Sequence, residues 1–385
     1  MKSTIPLNLE TLRWARETSN LEVEEVALKM NKSPNIIQGW ENGELSPTYV
    51  QLEKLAYTIY KRPLALFFFP EPPVEITPRN SFRTLPESEF EEFSPYFLRL
   101  FRKAQSFQIK IKELTEESDI ASRKVFQDLT FKSLENLTRT TGAVRSFLDV
   151  SLEEQISWTN EGVAFENWRV KLEAIGIHVF KDAFRQRDIS GFCLYDEEFP
   201  IIYINNSMPK TRQIFTIFHE LAHLLFKTGG IDKTDTRFLK RVHGDNRKIE
   251  VACNRFVGEF LVPKEDFDRR IRSGKLSDEL IENLASIYKV SREVILRRCL
   301  DKGLVNQELY EKKSREWIGQ ALKKMSSAKG GDYYRNVVSY LSGTYLKLAF
   351  KSYLENRISA PQLADYLGVK ATSLPGIETE FFGRE

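Results

Sequence analysis

Apolar residues recur at three- and four-residue intervals through most of this chain, so helices dominate the expectation. Five short ones are expected in residues 8–70. Leu9, Leu12, Arg13 and Ala15 open the first, and Val23, Val26, Ala27 and Met30 mark the second. Ser33 and Pro34 read as a helix start, a capping hydroxyl followed by proline at the first helical position. The third helix then carries Asn35, Ile36, Ile37, Gln38 and Trp40 and stops near Asn42 and Gly43. Leu52, Leu55, Ala56 and Ile59 line a fourth, and a fifth holds the apolar run Leu64–Phe69. Pro70, Pro72, Pro73 and Pro78 block continuation. Residues 88–157 read as a charged, largely helical connector with Phe97, Leu98, Leu100 and Phe101 as its apolar stripe.

The period changes after residue 174. Three β-branched or aromatic runs, Ile175–Phe180, Ile189–Tyr195 and Phe199–Ile204, alternate with polar turns and read as strands. Helices over 210–227, 245–262 and 277–300 follow, and then a helical tail. The expected fold class is α+β and predominantly helical. It divides into a five-helix domain at 1–70, a linker and connecting segment at 71–160, a domain with a small mixed sheet at 161–305, and a helical C-terminal region at 306–385.

Composition narrows the classes. With 385 residues, 41% hydrophobic and 29% charged, the chain can fill a core, which excludes a wholly disordered protein. Lys and Arg number 57 against 54 Asp and Glu, so bulk charge does not announce a nucleic-acid partner. Residues 1–62 hold eight basic and eight acidic side chains, a net of zero. Cys193, Cys253 and Cys299 are far apart with no CxxC pair, which fits a reducing cytoplasm better than a disulfide framework. The run from Met1 to Pro6 lacks the apolar core of an export signal. The greasiest run, Leu64–Phe69, is far shorter than the ~20 residues a membrane span needs, so no membrane role is expected.

Chemistry concentrates in Phe218-His219-Glu220-Leu221-Ala222-His223, an H-E-x-x-H match. With four histidines in the chain, roughly 0.004 such matches arise by chance. Ile214, Phe215, Ile217, Leu221, Leu224 and Leu225 make the segment a buried helix. Residues four apart share a face, so His219 and His223 can present two imidazoles to one metal ion. Glu220, about 100° around the helix, is placed to act as general base on a water there. Two imidazoles merely packed in a core would need partners for four ring nitrogens. A catalytic zinc site takes three protein ligands. Glu250 could complete a His₂Glu set, with Asn254, on the same helical face, accepting a hydrogen bond from the free ring N–H of a ligand histidine, His219 by preference. His243 is left unassigned and His178, in mid-strand, reads as structural.

These residues, with Asn254-Arg255-Phe256 and Leu261-Val262-Pro263 downstream and Phe199–Asn205 upstream, resemble the ImmA/IrrE zinc-dependent peptidases over about residues 165–305. Cys253 stands where that family usually has alanine, and Val262 where methionine is common. The resemblance implies a thermolysin-like site with His219, His223 and Glu250 as zinc ligands and Glu220 as general base. An extended substrate is then expected to add as a strand beside Gly191–Tyr195 or Pro200–Asn205.

The N-terminal helices resemble the Xre/Cro-type helix-turn-helix regulators on Leu21–Met30, on Ser33 to Gly43 with Trp40-Glu41-Asn42-Gly43 at its end, and on Pro47, Leu52, Leu55 and Ala56. In such a motif the second helix enters the major groove by its N-terminal residues, here Ser33, Pro34, Asn35 and Gln38. Asn and Gln suit bidentate contact with adenine. Phe82 and Arg83 are consistent with the join seen in fusions of the two families. The combined reading is a cytoplasmic regulator that binds operator DNA, as a homodimer by analogy with two-fold operators, and whose zinc peptidase domain cleaves or senses a repressor or toxin. The alternative is an antitoxin or transcription factor whose peptidase-like domain holds a partner without turnover.

Overall fold

The computed structural model describes residues 7–116, 137–234, 238–272, 276–325 and 331–383. Two compact units emerge. The first combines Met1–Ser81, Leu85–Lys103 and Phe184–Gln186; the second combines Phe82–Thr84, Ala104–Ala183 and Arg187–Glu385. The connecting segment is thus shared out between them.

In the first unit, α1 (Leu9–Glu17), α2 (Val23–Met30) and α3 (Pro34–Asn42) pack with α4 (Tyr49–Glu53) around Leu12, Val26, Ile37, Trp40, Leu52 and Phe67. The chain continues from α4 as a widened π turn over Lys54–Tyr60, and the fifth helix is a 3₁₀ turn, Leu64–Phe68. Glu41 is buried and takes both guanidinium contacts of Arg16, at 2.7 and 3.1 Å, which binds α1 to α3. Ser33 sits at the N-cap with extended backbone, but its hydroxyl makes no capping bond. The helix start there rests on Pro34, whose fixed φ and missing N–H suit the first turn.

The second unit is built on a four-stranded sheet of order β1-β3-β2-β4, with β1 His178–Asp182, β2 Ile189–Leu194, β3 Ile201–Asn205 and β4 Gly230–Lys233. β1 and β3 are parallel, and the β3–β2 and β2–β4 pairs are antiparallel. Ile175 ends a helix and Gly176 turns the chain at φ 93°, so the first strand starts three residues later than its apolar run. β4 was not legible beforehand, being four residues with Asp232 and Lys233 at its end. The order also corrects the substrate expectation: β2 and β3 are interior strands with both edges paired, so neither can accept an added strand.

One face of the sheet carries a row of rings. Phe180, Tyr203 and Phe192 are register partners across β1, β3 and β2. Phe107 stacks on Phe180 at 4.2 Å, and Phe82 meets Phe192 edge-on at 5.8 Å. The other face receives the helix Lys210–Leu225, whose buried residues run unbroken from Thr216 to Leu225, as expected of a helix apolar on most sides there. Trp168, fully buried, wedges between Phe218 and Trp158 at 4.8 Å from each. Among the described residues, no helix is long and apolar enough to cross a membrane.

His178 is structural, with its Nδ1 3.1 Å from Thr344 Oγ1 and 3.4 Å from Ser342 Oγ, at the N-cap of the helix Gly343–Leu354. Burial pushes its pKa down to about 4, whereas an unfolded imidazole titrates near 6.5. Between those values only the unfolded chain carries the proton, so stability falls as pH drops through that window. His178→Gln is expected to flatten this part of the profile, read as the difference in urea midpoints between about pH 7 and about pH 4.5. An unchanged slope in the variant would refute the assignment.

Candidate metal centre

The helix Lys210–Leu225 presents His219, Glu220 and His223, and a second helix, Gly244–Leu261, packs across it and presents Glu250. All four side chains are buried, at 0–2% exposure. His219 Nε2 and His223 Nε2 are 3.2 Å apart, and the two Glu250 oxygens lie 3.4 Å from them, Oε2 from His219 and Oε1 from His223. Tetrahedral bonds of 2.0–2.1 Å around a zinc ion place neighbouring donors about 3.3 Å apart. The pairwise distances are close to that value, and one ligand atom from each of the three residues lies within 4.8 Å of the others. They form the one His/Cys/Asp/Glu group of this kind among the described residues.

Unsatisfied atoms point the same way. Both Glu220 oxygens, Glu250 Oε1 and His219 Nδ1 are buried without a hydrogen-bond partner, which an apolar core tolerates poorly unless something else compensates them. Burial lifts the Glu220 carboxyl to about 7, Asp232 adding to it against the pull of the two imidazoles. For Glu250 burial acts upward too, but His223 and His219 outweigh it and hold the group down to about 2. Burial disfavours charge on His219, yet Asp232 and Glu250 raise it to about 9, and His223 is raised as well. A cation entering this cluster replaces protons that the carboxylates now favour.

Two close approaches set the geometry. A Cβ on Gly230 would stand 2.4 Å from the His223 ring, and one on Gly191 would stand 2.5 Å from Thr216 Cγ2. The bare backbone of β4 and β2 lets the motif helix lie against the sheet. Asp232 accepts from Thr216 Oγ1 at 2.7 Å and Arg212 Nη2 at 2.6 Å, which ties β4 to that helix. Cys193 receives the Gly230 N–H at 3.2 Å and lies beside Glu220, while Cys253 lies beside His223. Of these only Cys253 stands out in the sequence, as a departure from the alanine usual in the family it resembles; isolated glycines, an aspartate and Cys193 carry no periodic signal.

Asn254 departs from its expected role. Its amide donates to the Glu250 carbonyl at 3.0 Å, one turn back on its own helix, and the bond to His219 is not formed, His219 Nδ1 having no partner. His223 has Thr228 Oγ1 3.5 Å from its Nδ1. His243 is the exposed N-cap of the Glu250 helix, away from the donor set. Ser33, Pro34, Asn35 and Gln38 belong to the other unit, all exposed on or before the first turns of α3.

His219, His223 and Glu250 form a buried group that could hold a metal ion, with the Glu220 carboxyl beside it. Comparison with known families agrees. Residues 172–300 match the model of the IrrE N-terminal-like domain, a peptidase family, and residues 12–56 match the helix-turn-helix model. The chain thus carries a segment similar to XRE-type helix-turn-helix domains and a segment similar to IrrE/ImmA-like domains, a pairing that supports a DNA-binding regulator. No curated protein matches it.

Gly230→Ala is expected to displace the His223 ring and weaken divalent-metal affinity about 10–100-fold, measured by competition with a chromogenic chelator. Metal binding equal to that of the parent protein would show that the close approach does not position the ligand.

Proposed function

We propose that this chain is a cytoplasmic, DNA-binding regulator whose zinc peptidase domain, residues 161–305, hydrolyses a specific regulatory protein, a repressor or a toxin. The observation that carries the reading is Glu220, a buried carboxyl with both oxygens unpartnered, one residue from a ligand histidine and held near neutrality. His219, His223 and Glu250 would hold the ion. When bound, zinc lowers the pKa of a water toward about 7 and polarises a carbonyl. Glu220 would take a proton from the attacking water as its oxygen bonds to the carbonyl carbon, and would return it to the amine nitrogen as the C–N bond breaks. A substrate segment adds at β4, the edge strand that brings Gly230 against His223.

The helix-turn-helix domain, residues 1–70, reads operator DNA in this proposal. Ser33, Pro34, Asn35 and Gln38 face the major groove, and a homodimer matches two half-sites. The Asn35→Ala/Gln38→Ala variant is expected to lose about 1–3 kcal/mol of sequence discrimination per contact, read by gel shift against the chain's own upstream region. Full retention of the shift would remove the base-reading assignment.

A second reading has one observation in its favour. The four site residues are buried so completely that the domain could recognise a partner, as an antitoxin does, without turning it over. Co-purified partner separates the two. Wild type is expected to yield partner fragments with new N-termini by mass spectrometry. Glu220→Gln is expected to keep its zinc while cleavage falls about 10²–10⁴-fold. Intact partner in both preparations would favour binding without hydrolysis, and full cleavage by the variant would contradict the assigned base.

A further inference from the structure

The first unit gathers positive charge from parts of the chain that lie outside its helix-turn-helix motif. Tyr96 has the Arg185 guanidinium 4.8 Å from its ring centroid and that of Arg99 at 6.0 Å. Arg102 donates to the Lys61 carbonyl at 3.3 Å. Glu75, the carboxylate that reaches this cluster, is engaged by Arg62 at 2.6 and 3.1 Å. Arg99 and Arg185 are exposed, and both Lys61 and Arg185 adopt left-handed backbone, with φ 56° and 54°, conformations that non-glycine residues hold only where the surroundings enforce them.

Like charges are held together here against their own repulsion. Burial and the charges of Arg99 and Arg185 push Lys61 down, and burial with Arg62 and Arg99 pushes Arg102 down to about 10. Among the described residues no carboxylate forms an ion pair with Lys61, Arg99, Arg102 or Arg185, and such an assembly of cations favours an anion.

Its place in the fold says which. The cluster is built onto the α1–α2 turn. Ser19 Oγ lies 3.3 Å from the Tyr60 carbonyl, next to Lys61, and Asn20 Nδ2 donates to the Phe90 and Phe93 carbonyls at 2.6 and 3.1 Å, just before Tyr96. That turn leads into α2, the motif's first helix, which in this class crosses the DNA backbone. The first turn of α2 carries only acid, Glu22 at its cap and then Glu24 and Glu25, and residues 1–62 have no net charge. Beyond Lys29 and Lys32, which are exposed at the end of α2 and in the turn to α3, charge for phosphates can come from outside the motif.

We propose that Lys61, Arg99, Arg102 and Arg185, arranged around Tyr96, form a cradle for backbone phosphates of duplex DNA flanking the bases read by α3. Exposed Arg99 and Arg185 make the direct contacts, while Arg102 braces the Lys61 turn. The proposal rests on the DNA-binding reading of this unit and extends its footprint to Arg99 and Arg185, 86 positions apart in sequence.

The test uses the full chain, a short random-sequence duplex and fluorescence anisotropy across a salt series. Each lost phosphate contact flattens the slope of log K against log salt by about 0.9, so R99Q/R185Q is expected to flatten it by about 1.8. R99K/R185K retains the charge and is expected to restore the slope, and Lys112→Gln, a basic residue of the other unit, leaves it unchanged. Thermal melts verify that each variant is folded. An unaltered slope in folded R99Q/R185Q, with wild type binding duplex normally, would overturn the cradle and leave the helix-turn-helix reading standing. No duplex binding by wild type would overturn both. Inorganic phosphate raising the melting temperature of wild type but not of R99Q/R185Q, with the DNA slope unmoved, would reassign the cluster to a small anion and equally overturn the proposal.

Discussion

Two imidazoles and two carboxyls are buried together where two helices cross beside a sheet. Burying that many ionisable groups is costly unless they neutralise one another or gather round an opposite charge. Mutual neutralisation is incomplete. Glu250 is ionised against the rings, but Glu220 keeps two unpartnered oxygens and His219 an unpartnered nitrogen. A divalent ion at the focus of the two Nε2 atoms and a Glu250 oxygen would compensate that set, without reaching His219 Nδ1, and would leave Glu220 as the group with chemistry still to do.

Everything around the focus serves that convergence. Helical period alone aligns His219 and His223. Bringing Glu250 to them requires the second helix to cross at contact distance, and Phe218, Phe256 and Phe260 pack at that crossing, with Phe218 and Phe260 ring centroids 4.4 Å apart. The sheet must also approach closely, which Gly230 and Gly191 permit, and Asp232 locks that approach through Arg212 and Thr216. The aromatic row on the opposite face anchors the sheet independently of the centre.

The legible parts of the sequence were those with a strong local period or a fixed spacing. The His219–His223 interval, the Glu250 helix and the first four helices of the N-terminal unit are of that kind. What escaped depends on contacts distant in sequence. β4 is too short and too polar to read as a strand until β2 pairs with it. Asn254 was placed on the correct face of its helix, but spacing cannot say whether its amide reaches a neighbouring ring or its own backbone. The interior position of β2 and β3 follows from strand order, which no single run encodes. The cationic cluster joins Lys61 to Arg99 and Arg185 through tertiary packing, so a charge count over residues 1–62 missed it.

The central claim is that His219, His223 and Glu250 bind one zinc ion through two nitrogens and an oxygen. X-ray absorption at the zinc edge of the purified full-length chain addresses it directly. The account predicts a first shell of nitrogen and oxygen scatterers at about 2.0–2.1 Å with the outer-shell signature of two imidazoles. Sulfur at about 2.3 Å, drawn from Cys193 or Cys253, or a chain that retains no divalent metal, would contradict it.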